Sequence, residues 1–134
     1  MNQTLITQTI NQYFTHLSNK DSEAWIQLFS PEAVSYDPVG NPPSIVHNDY
    51  QKFFELLNFY HQSETIPENI FVAGNEAAVK WKMSVTARNG NTANAEGITV
   101  FIFNQEGKIS ETRAYWDDKK FLEQLVLNAF KLGS

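Results

Sequence analysis

The sequence contains no cysteine, which excludes disulfides, thiolate zinc sites and cysteine nucleophiles. Histidine is also scarce. His16, His47 and His61 are not paired at the spacing of metal ligands, so we expect no metal site. Basic runs are absent and the net charge is −5. A negative chain without a basic patch is a poor partner for nucleic acid or an anionic membrane surface, and we expect neither.

Long hydrophobic runs are missing as well. No segment approaches the roughly 18 apolar residues that a membrane-spanning helix needs. The first residues also lack the basic and then apolar pattern of a signal peptide. We therefore expect a soluble, cytoplasmic protein.

Aromatic residues are plentiful, with ten phenylalanines and three tryptophans among 134 residues. The length suits one domain, residues 1–134, and no repeat, linker or low-complexity segment divides it. Large rings line apolar ligand pockets, but they also fill ordinary cores. Composition alone leaves both interpretations open.

The first half of the chain predicts three helices. Apolar residues recur at helical spacing over residues 4–18 and 49–62. Asp21 can cap a second helix, which ends before Ser30-Pro31-Glu32 because the residue before a proline avoids the helical region. Residues 34–37 predict a short strand that runs into an irregular loop.

The second half predicts strands. From Ile66 the apolar period changes from 3.6 to 2, with Val79, Trp81, Met83 and Val85 on the dry face of one strand. Turns are expected at Asn89-Gly90 and at residues 104–107, separating strands at 94–103 and 108–116. A closing helix over residues 119–132 carries one apolar stripe: Phe121, Leu122, Leu125, Val126, Ala129 and Phe130.

This order of elements predicts an α+β fold. We expect a curved antiparallel sheet, shaped like a cone, with three N-terminal helices packed over its concave side and a C-terminal helix. Such a sheet encloses a pocket instead of a filled core.

The strand at residues 98–103 is apolar on both faces. If Thr99, Phe101 and Phe103 face the concave side, the alternate residues, Val100 among them, face outward and need a cover. Only the C-terminal helix or a second subunit can supply it. A two-fold pair is the commonest solution, so we expect a homodimer through the convex sheet face.

Asp37 is the most informative polar residue. It lies in Tyr36-Asp37-Pro38-Val39-Gly40, where a rigid strand runs into a turn, and Tyr13 lies on the apolar side of the first helix. A carboxylate that takes a proton and a phenol that stabilises an oxyanion are the two parts of an enolising site. An Asp-Pro turn and a core tyrosine remain the simpler alternative.

Several short motifs follow Tyr13 in a specific order. They are Tyr36-Asp37-Pro38-Val39-Gly40-Asn41-Pro42-Pro43, Gly74-Asn75-Glu76-Ala77-Ala78, Phe101-Ile102-Phe103-Asn104 with Gly107-Lys108-Ile109, and Arg113-Ala114-Tyr115-Trp116. Over residues 5–118 the chain resembles bacterial ketosteroid isomerase, of the nuclear transport factor 2-like, SnoaL-like superfamily. The resemblance implies a cystatin-like cone, a deep apolar cavity, sheet-to-sheet dimers and proton transfer that needs no cofactor or metal.

The resemblance also implies roles for single residues. Asp37 matches the family's proton-shuttling base and Tyr13 its oxyanion-hole tyrosine. Thr99 falls where the family has a protonated aspartic acid as second donor, which is a departure. Phe54 falls where a tyrosine supports the first donor, a second departure. Trp116 matches an aromatic wall position.

The expected ligand is a small apolar carbonyl compound, steroid-like in the leading hypothesis. We expect Trp81, Met83 and Phe101 to line its pocket together with the residues carried over from the family. Glu96 could reach the cavity only if a β-bulge at Gly97 reversed its direction. Two alternatives stay open: a SnoaL-like cyclase or hydratase that uses the same base, and a non-catalytic protein that binds a small ligand.

Overall fold

The computed structural model describes the backbone of residues 2–133 and the side chains of residues 2–125. Within residues 2–133, four helices and six strands follow one another. They are α1 (Gln3–Ser18), α2 (Ser22–Ile26), β1 (Phe29–Tyr36), β2 (Ser44–Ile45), α3 (Val46–Asn58), β3 (Tyr60–Ala73), β4 (Glu76–Ala87), β5 (Thr92–Phe103), β6 (Ile109–Tyr115) and α4 (Asp118–Gly133).

The six strands form one curved sheet in the order β2-β1-β6-β5-β4-β3. The predicted α+β architecture is confirmed, with one difference in the sheet. It is mixed and not wholly antiparallel, because β1 runs parallel to β6. Tight turns join β3 to β4 and β4 to β5, so these neighbours run antiparallel. The strands β1 and β6 are far apart in the chain, and no hairpin fixes their relative direction.

Helix α1 provides the first layer of the core. Asn2 caps it, with its side chain accepting a hydrogen bond from the backbone N–H of Thr4 at 2.7 Å. Ile6, Ile10 and Phe14 lie one turn apart and are almost fully buried against the sheet. This stripe holds α1 across the concave face.

Helix α2 begins as predicted and ends sooner. Asp21 accepts a hydrogen bond from Ala24 N at 3.2 Å, so the predicted cap is confirmed. The helix stops at Ile26, however, and Ser30-Pro31-Glu32 belongs to β1. Pro31 lies where the pairing of β1 with β6 is irregular, between Phe29 and Val34, and a missing N–H costs no ladder hydrogen bond there.

The third helix and the strand after it differ from the prediction at their boundary. Helix α3 starts at Val46 and ends at Asn58, whereas the sequence predicted residues 49–62. Residues 60–62 open β3, because β4 is long enough to pair back as far as Tyr60, opposite Ala87. Pairing with a neighbouring strand outweighs the local helical pattern here.

The predicted alternation in β4 is confirmed. Val79, Trp81 and Val85 are buried on the concave side. On the convex side, the Lys80 and Lys82 ammonium groups lie 3.1 and 3.4 Å from the carboxylate oxygens of Glu68. The predicted turn at Asn89-Gly90 also forms, with Gly90 at a positive φ of 91°.

The described part of α4 packs at the end of the concave side. Phe121 contacts Trp116 with ring centroids 5.7 Å apart, and Gln124 exchanges two hydrogen bonds with the backbone of Asn94. The convex face keeps Ile98 at 46% exposure. The predicted stripe residues Val126, Ala129 and Phe130 lie outside the described side chains. Within residues 2–133, no helix is long and apolar enough to cross a membrane.

Candidate functional site

An apolar cavity of about 250 Å³ lies between the concave sheet and helices α1, α3 and α4. Most of its wall is hydrocarbon or aromatic ring. Seven of the eighteen lining side chains carry a hydroxyl or a carboxylate, and three of these carry the chemistry considered below: Tyr13, Asp37 and Thr99. An apolar pocket with a small number of converging polar groups is the usual form of a small-molecule site.

Asp37 stands where β1 ends. The turn after it is fixed to the neighbouring strand, because Val39 N–H donates to the carbonyl of Ala114 at 2.8 Å. The indole N–H of Trp116 donates to Asp37 Oδ1 at 2.7 Å. The carboxylate is therefore held in one orientation, with its second oxygen left for a ligand.

The surroundings of Asp37 act on its charge in opposite directions. Loss of water around the carboxyl is the largest effect and raises its pKa above the ordinary aspartate value. The hydrogen bond from Trp116 lowers the pKa, and the nearby charge of Asp118 raises it. Water can still reach the residue through the open cavity, but protein atoms surround most of the carboxyl. The net result is a carboxylate that is a stronger base than one in water.

Tyr13 projects from the middle of α1 into a cluster of rings. Its ring centroid lies 4.9 Å from that of Phe101, nearly perpendicular, and 5.4 Å from that of Trp25. Burial, and then the charge of Asp37, raise the pKa of the phenol well above its usual value. The hydroxyl therefore stays protonated. Among the described residues no acceptor takes its proton, so the phenol can donate to a ligand.

Thr99 lies on the concave face of β5 and is almost completely buried. Its Oγ1 accepts a hydrogen bond from the indole N–H of Trp81 at 2.9 Å. A threonine hydroxyl has one proton to donate, and none of the described residues accepts it. Thr99 thus offers a second donor to the same cavity.

The two tryptophans that hold these polar groups are in contact with each other. The rings of Trp81 and Trp116 meet edge to face, with centroids 5.8 Å apart. Gly97 lies beneath them on β5. A Cβ atom there would come within 2.7 Å of Trp116 Cβ and 2.8 Å of Trp81 Cζ2. Only glycine leaves room for this pair.

The structure places the predicted ligand-contact residues in two groups. Trp81, Met83 and Trp116 line the cavity. Phe54 and Phe101 do not: both are buried behind the wall, where Phe54 packs on Trp25 at 5.2 Å and Phe101 supports Tyr13. Glu96 points to the convex face, 3.7 Å from Lys80, because β4 and β5 pair without a bulge at Gly97.

Some lining residues were not singled out from the sequence. Thr112 Oγ1 donates to Ser35 Oγ at 3.0 Å, and both line the cavity next to Asp37. The alternation along β6, which places Thr112 on the same side as Trp116 just after the strand, could have identified Thr112 as a lining residue. Phe53 and Phe121 also line the wall, but which helical residues face a cavity depends on tertiary packing.

A second cavity of about 260 Å³ adjoins the first and shares Tyr13, Asp37 and Phe53 with it. Its further lining includes Ser44 at β2 and Tyr50 on α3. Asp37 and Tyr13 therefore stand between two spaces that a ligand could enter. Within the described part of the chain, no three side chains of the metal-ligating types come together to hold a metal ion.

The match to known families agrees with this architecture. The model of the SnoaL-like domain family matches residues 10–112, most of the chain. The protein belongs to the SnoaL-like domain family.

Solved structures share the fold of this SnoaL-like protein. The epoxide hydrolase/cyclase-like enzyme SalBIII is 20% identical, with a TM-score of 0.79 over 89% of this chain and 95% of SalBIII. A LEH-like epoxide hydrolase of M. tuberculosis is 16% identical, with a TM-score of 0.77 over 98% of both chains. An NTF2-like protein of unknown function from Exiguobacterium is 18% identical, with a TM-score of 0.69 over 82% of this chain and 98% of its own. At these identities the likeness establishes the nuclear transport factor 2-like fold.

Proposed function

We propose that this SnoaL-like protein is a ketosteroid isomerase-like enzyme, which moves a proton within an enolisable carbonyl compound. The observation that carries the proposal is the content of the cavity wall. One carboxylate, Asp37, lines the same apolar space as the hydroxyls of Tyr13 and Thr99, neither of which donates to an acceptor among the described residues. A base paired with oxyanion donors is what enolisation requires.

Side chains of the protein supply every proton transfer and hydrogen bond that the proposed reaction needs. The carboxylate of Asp37 removes a proton from the carbon next to the carbonyl. The electron pair of the broken C–H bond forms the C=C bond of the enolate, and the π pair of the carbonyl moves onto its oxygen. Tyr13 and Thr99 donate hydrogen bonds to the resulting enolate oxygen. Asp37, now a carboxylic acid, returns a proton further along the conjugated system, so no cofactor enters the balance.

The electrostatics of the site support these roles. A raised pKa makes Asp37 a better match for a weakly acidic C–H group than an aspartate in water. The raised pKa of Tyr13 keeps its proton in place as a donor. Hydrogen bonds to a developing oxyanion are strong in a cavity with little water.

Thr99 distinguishes this site from the family pattern. A protonated aspartic acid is a stronger donor than an alcohol, and removal of one oxyanion donor typically costs about 100- to 1,000-fold in rate. We therefore expect a slower enzyme than a site with an acid at this position, or one tuned to a different carbonyl compound.

The wall chemistry suggests the class of substrate. The cavity of about 250 Å³ is close to the lower end of the range for small-molecule pockets, roughly 300–1,000 Å³. Apolar ring systems with one conjugated carbonyl fit such a space, and a longer, steroid-like molecule would extend into the adjoining cavity.

An absorbance assay tests the proposal. The protein is mixed with an unsaturated ketosteroid and with a smaller bicyclic enone whose double bond lies outside conjugation, and the formation of the conjugated product is followed. Turnover of either compound supports the proposal. Binding of both without turnover contradicts it and favours a non-catalytic ligand-binding protein.

The solved structures suggest a second candidate, a cyclase or hydratase. Two of them are described as epoxide hydrolase/cyclase-like and as an epoxide hydrolase. The same three residues suit ring opening, with Asp37 taking a proton from the attacking alcohol or water while Tyr13 and Thr99 donate to the epoxide oxygen. Conversion of an apolar epoxy-alcohol, with no turnover of the enones, would favour this candidate.

A further inference from the structure

We propose that Trp81 is a positioning residue, which fixes the hydroxyl of Thr99 as a donor toward the ligand, and that Gly97 makes this arrangement possible. The inference rests on the proposed function in one respect, namely that the ligand places an oxygen beside Thr99. It assigns a role to Trp81 beyond that of an apolar wall.

The hydrogen bond between the two residues has a definite direction. An indole N–H can only donate, so Thr99 Oγ1 must be the acceptor in the contact of 2.9 Å with Trp81 Nε1. The proton of the hydroxyl is then directed away from Trp81. Since no described residue accepts it and Thr99 lines the cavity, a ligand oxygen is the natural acceptor.

Burial makes this orientation firm. Trp81 and Thr99 are each only 5% exposed. A buried hydroxyl that lost the indole would be free to rotate and could present its lone pairs to the ligand instead of its proton. Hydrogen bonds of this kind also strengthen one another where the local dielectric constant is low.

Strand register explains why the indole reaches Thr99. Trp81 lies directly opposite Gly97, while Val79 is opposite Thr99, so Trp81 and Thr99 are diagonal neighbours on the concave face. Gly97 presents no side chain between them. A Cβ at that position would lie 2.8 Å from Trp81 Cζ2, so any other residue would push the indole off its path.

Gly97 also affects the residue that holds the proposed base, Asp37. Trp116 Cβ would be 2.7 Å from a Cβ at position 97, and Trp116 is the residue that donates to Asp37. One residue without a side chain thus lets two indoles approach each other, and each indole holds one polar group of the site.

A double-mutant cycle on ligand binding tests the proposal. Trp81→Phe removes the N–H and keeps a ring, Thr99→Val removes the hydroxyl and keeps the shape, and the third variant carries both changes. The probes are a naphthol, which brings an oxygen, and naphthalene, which does not. We expect each single change to weaken naphthol binding about five- to tenfold, the usual effect of one hydrogen bond, with a much smaller effect on naphthalene.

The double variant shows whether Trp81 acts through Thr99 or only as part of the cavity wall. If Trp81 acts through Thr99, the double variant loses no more naphthol affinity than Thr99→Val alone. Losses that multiply, or equal losses for naphthalene, overturn the proposal and leave Trp81 as a wall residue. A wild-type protein that binds naphthol no better than naphthalene overturns it too.

A second measurement needs no ligand. The Trp81 indole N–H resonance is assigned in the wild-type protein from its nuclear Overhauser contacts, and Thr99→Val should shift it while leaving the Trp25 indole resonance unchanged. An unmoved Trp81 resonance contradicts the proposal even if Trp81→Phe folds poorly. Failure of the proposed isomerase is recognised separately, as absence of enone turnover alongside an intact binding cycle.

Discussion

Asp37 combines three influences that separate experiments can distinguish. Dehydration and the charge of Asp118 raise its pKa, and the hydrogen bond from Trp116 lowers it. A base of this kind works only after it has lost its proton, so activity should fall as the pH drops through its raised pKa. The neighbours of Asp37 therefore set the acid limit of the enzyme.

Asp118→Asn should lower the pKa of Asp37, because it removes a negative charge that disfavours the carboxylate. The acid limb of the kcat/KM profile should then move to lower pH, and a carbon NMR titration of the Asp37 carboxyl should move the same way. Asp117→Asn is the matched control. It removes the same charge from the next residue, and asparagine can still cap α4 through the backbone N–H of Lys120. A limb that stays in place, or that moves equally in the control, would contradict the assignment.

Asp37→Asn should make the protein more stable at neutral pH than the wild type. A carboxyl whose pKa is higher in the folded than in the unfolded state binds its proton more readily when folded. The free energy of unfolding of the wild type therefore falls as the pH rises from the unfolded to the folded pKa. The advantage of the Asn variant should be full above the folded pKa and should vanish below the unfolded one. Melting temperatures at acid and neutral pH measure this, and an advantage that grows at acid pH would contradict the raised pKa.

Whether the sequence predicts that a residue faces the cavity depends on whether the residue lies in a strand or in a helix. Asp37 and Thr99 could be placed on one cavity because a strand alternates strictly and a turn fixes its end. Phe54 was placed there as well, and Phe53 lines the wall instead. Consecutive helical residues differ in direction by about 100°, so a small rotation of α3, set by packing, exchanges their positions.

At the scale of elements, the close packing of β5 against its neighbours depends on Gly97. Gly97→Ala would bring a Cβ within 2.6 Å of the carbonyl oxygen of Tyr115, a backbone atom that cannot move alone. We expect a loss of about 1–3 kcal/mol in the free energy of unfolding, as for other overpacked interiors. Indole resonances of Trp81 and Trp116 should shift, while that of Trp25, which lies on α2 and not beside Gly97, serves as the internal control. An unchanged melting temperature with unshifted indoles would show that the strand accommodates a methyl group.

The order of the elements could be predicted except for the short strand β2, which lies in the predicted irregular loop, and several boundaries could not, two of them near Pro31 and at residues 60–62. Pro31 predicted a helix end just before it, yet the helix ends at Ile26 and Pro31 lies inside β1. Proline is tolerated in that strand because the pairing with β6 is irregular there. Residues 60–62 have a helical pattern but join β3, because their backbone pairs with the neighbouring strand β4. Both differences arise from pairing between distant segments, which a local pattern does not contain.

At the scale of the whole molecule, we propose that the convex sheet face forms a homodimer. Large apolar side chains on this face remain exposed, with Phe71 at 68%, Ile66 at 50% and Tyr115 at 47%. Ion pairs of Lys80 and Lys82 with Glu68 lie among them. The described side chains of α4 pack on the other side of the sheet, so the helix does not cover these residues there.

Val100→Glu should convert such a dimer into a monomer, because it buries a charge in the centre of the apolar face, where the facing Arg113 is already paired with Glu111. Sedimentation or light scattering at micromolar concentration measures the change. Leu5→Glu, at an exposed apolar site on α1, is the control and should leave the dimer intact. A wild-type protein that is already a monomer would contradict the interface.

The most direct test of the proposed function is the rate at which hydrogen on the carbon next to the carbonyl of a bicyclic enone exchanges for deuterium in heavy water. Enolisation turns Asp37 into a carboxylic acid that is exposed to water, so its proton can be replaced by deuterium before a hydrogen is returned to the substrate, and the exchange does not require that the protein complete the isomerisation. We predict that the wild type accelerates the exchange and that Asp37→Asn reduces the acceleration by at least about 100-fold, the lower end of the usual contribution of a general base. Circular dichroism of the variant confirms that it is folded. Equal exchange rates for the wild type and a folded Asp37→Asn variant would contradict the assignment of Asp37 as the base.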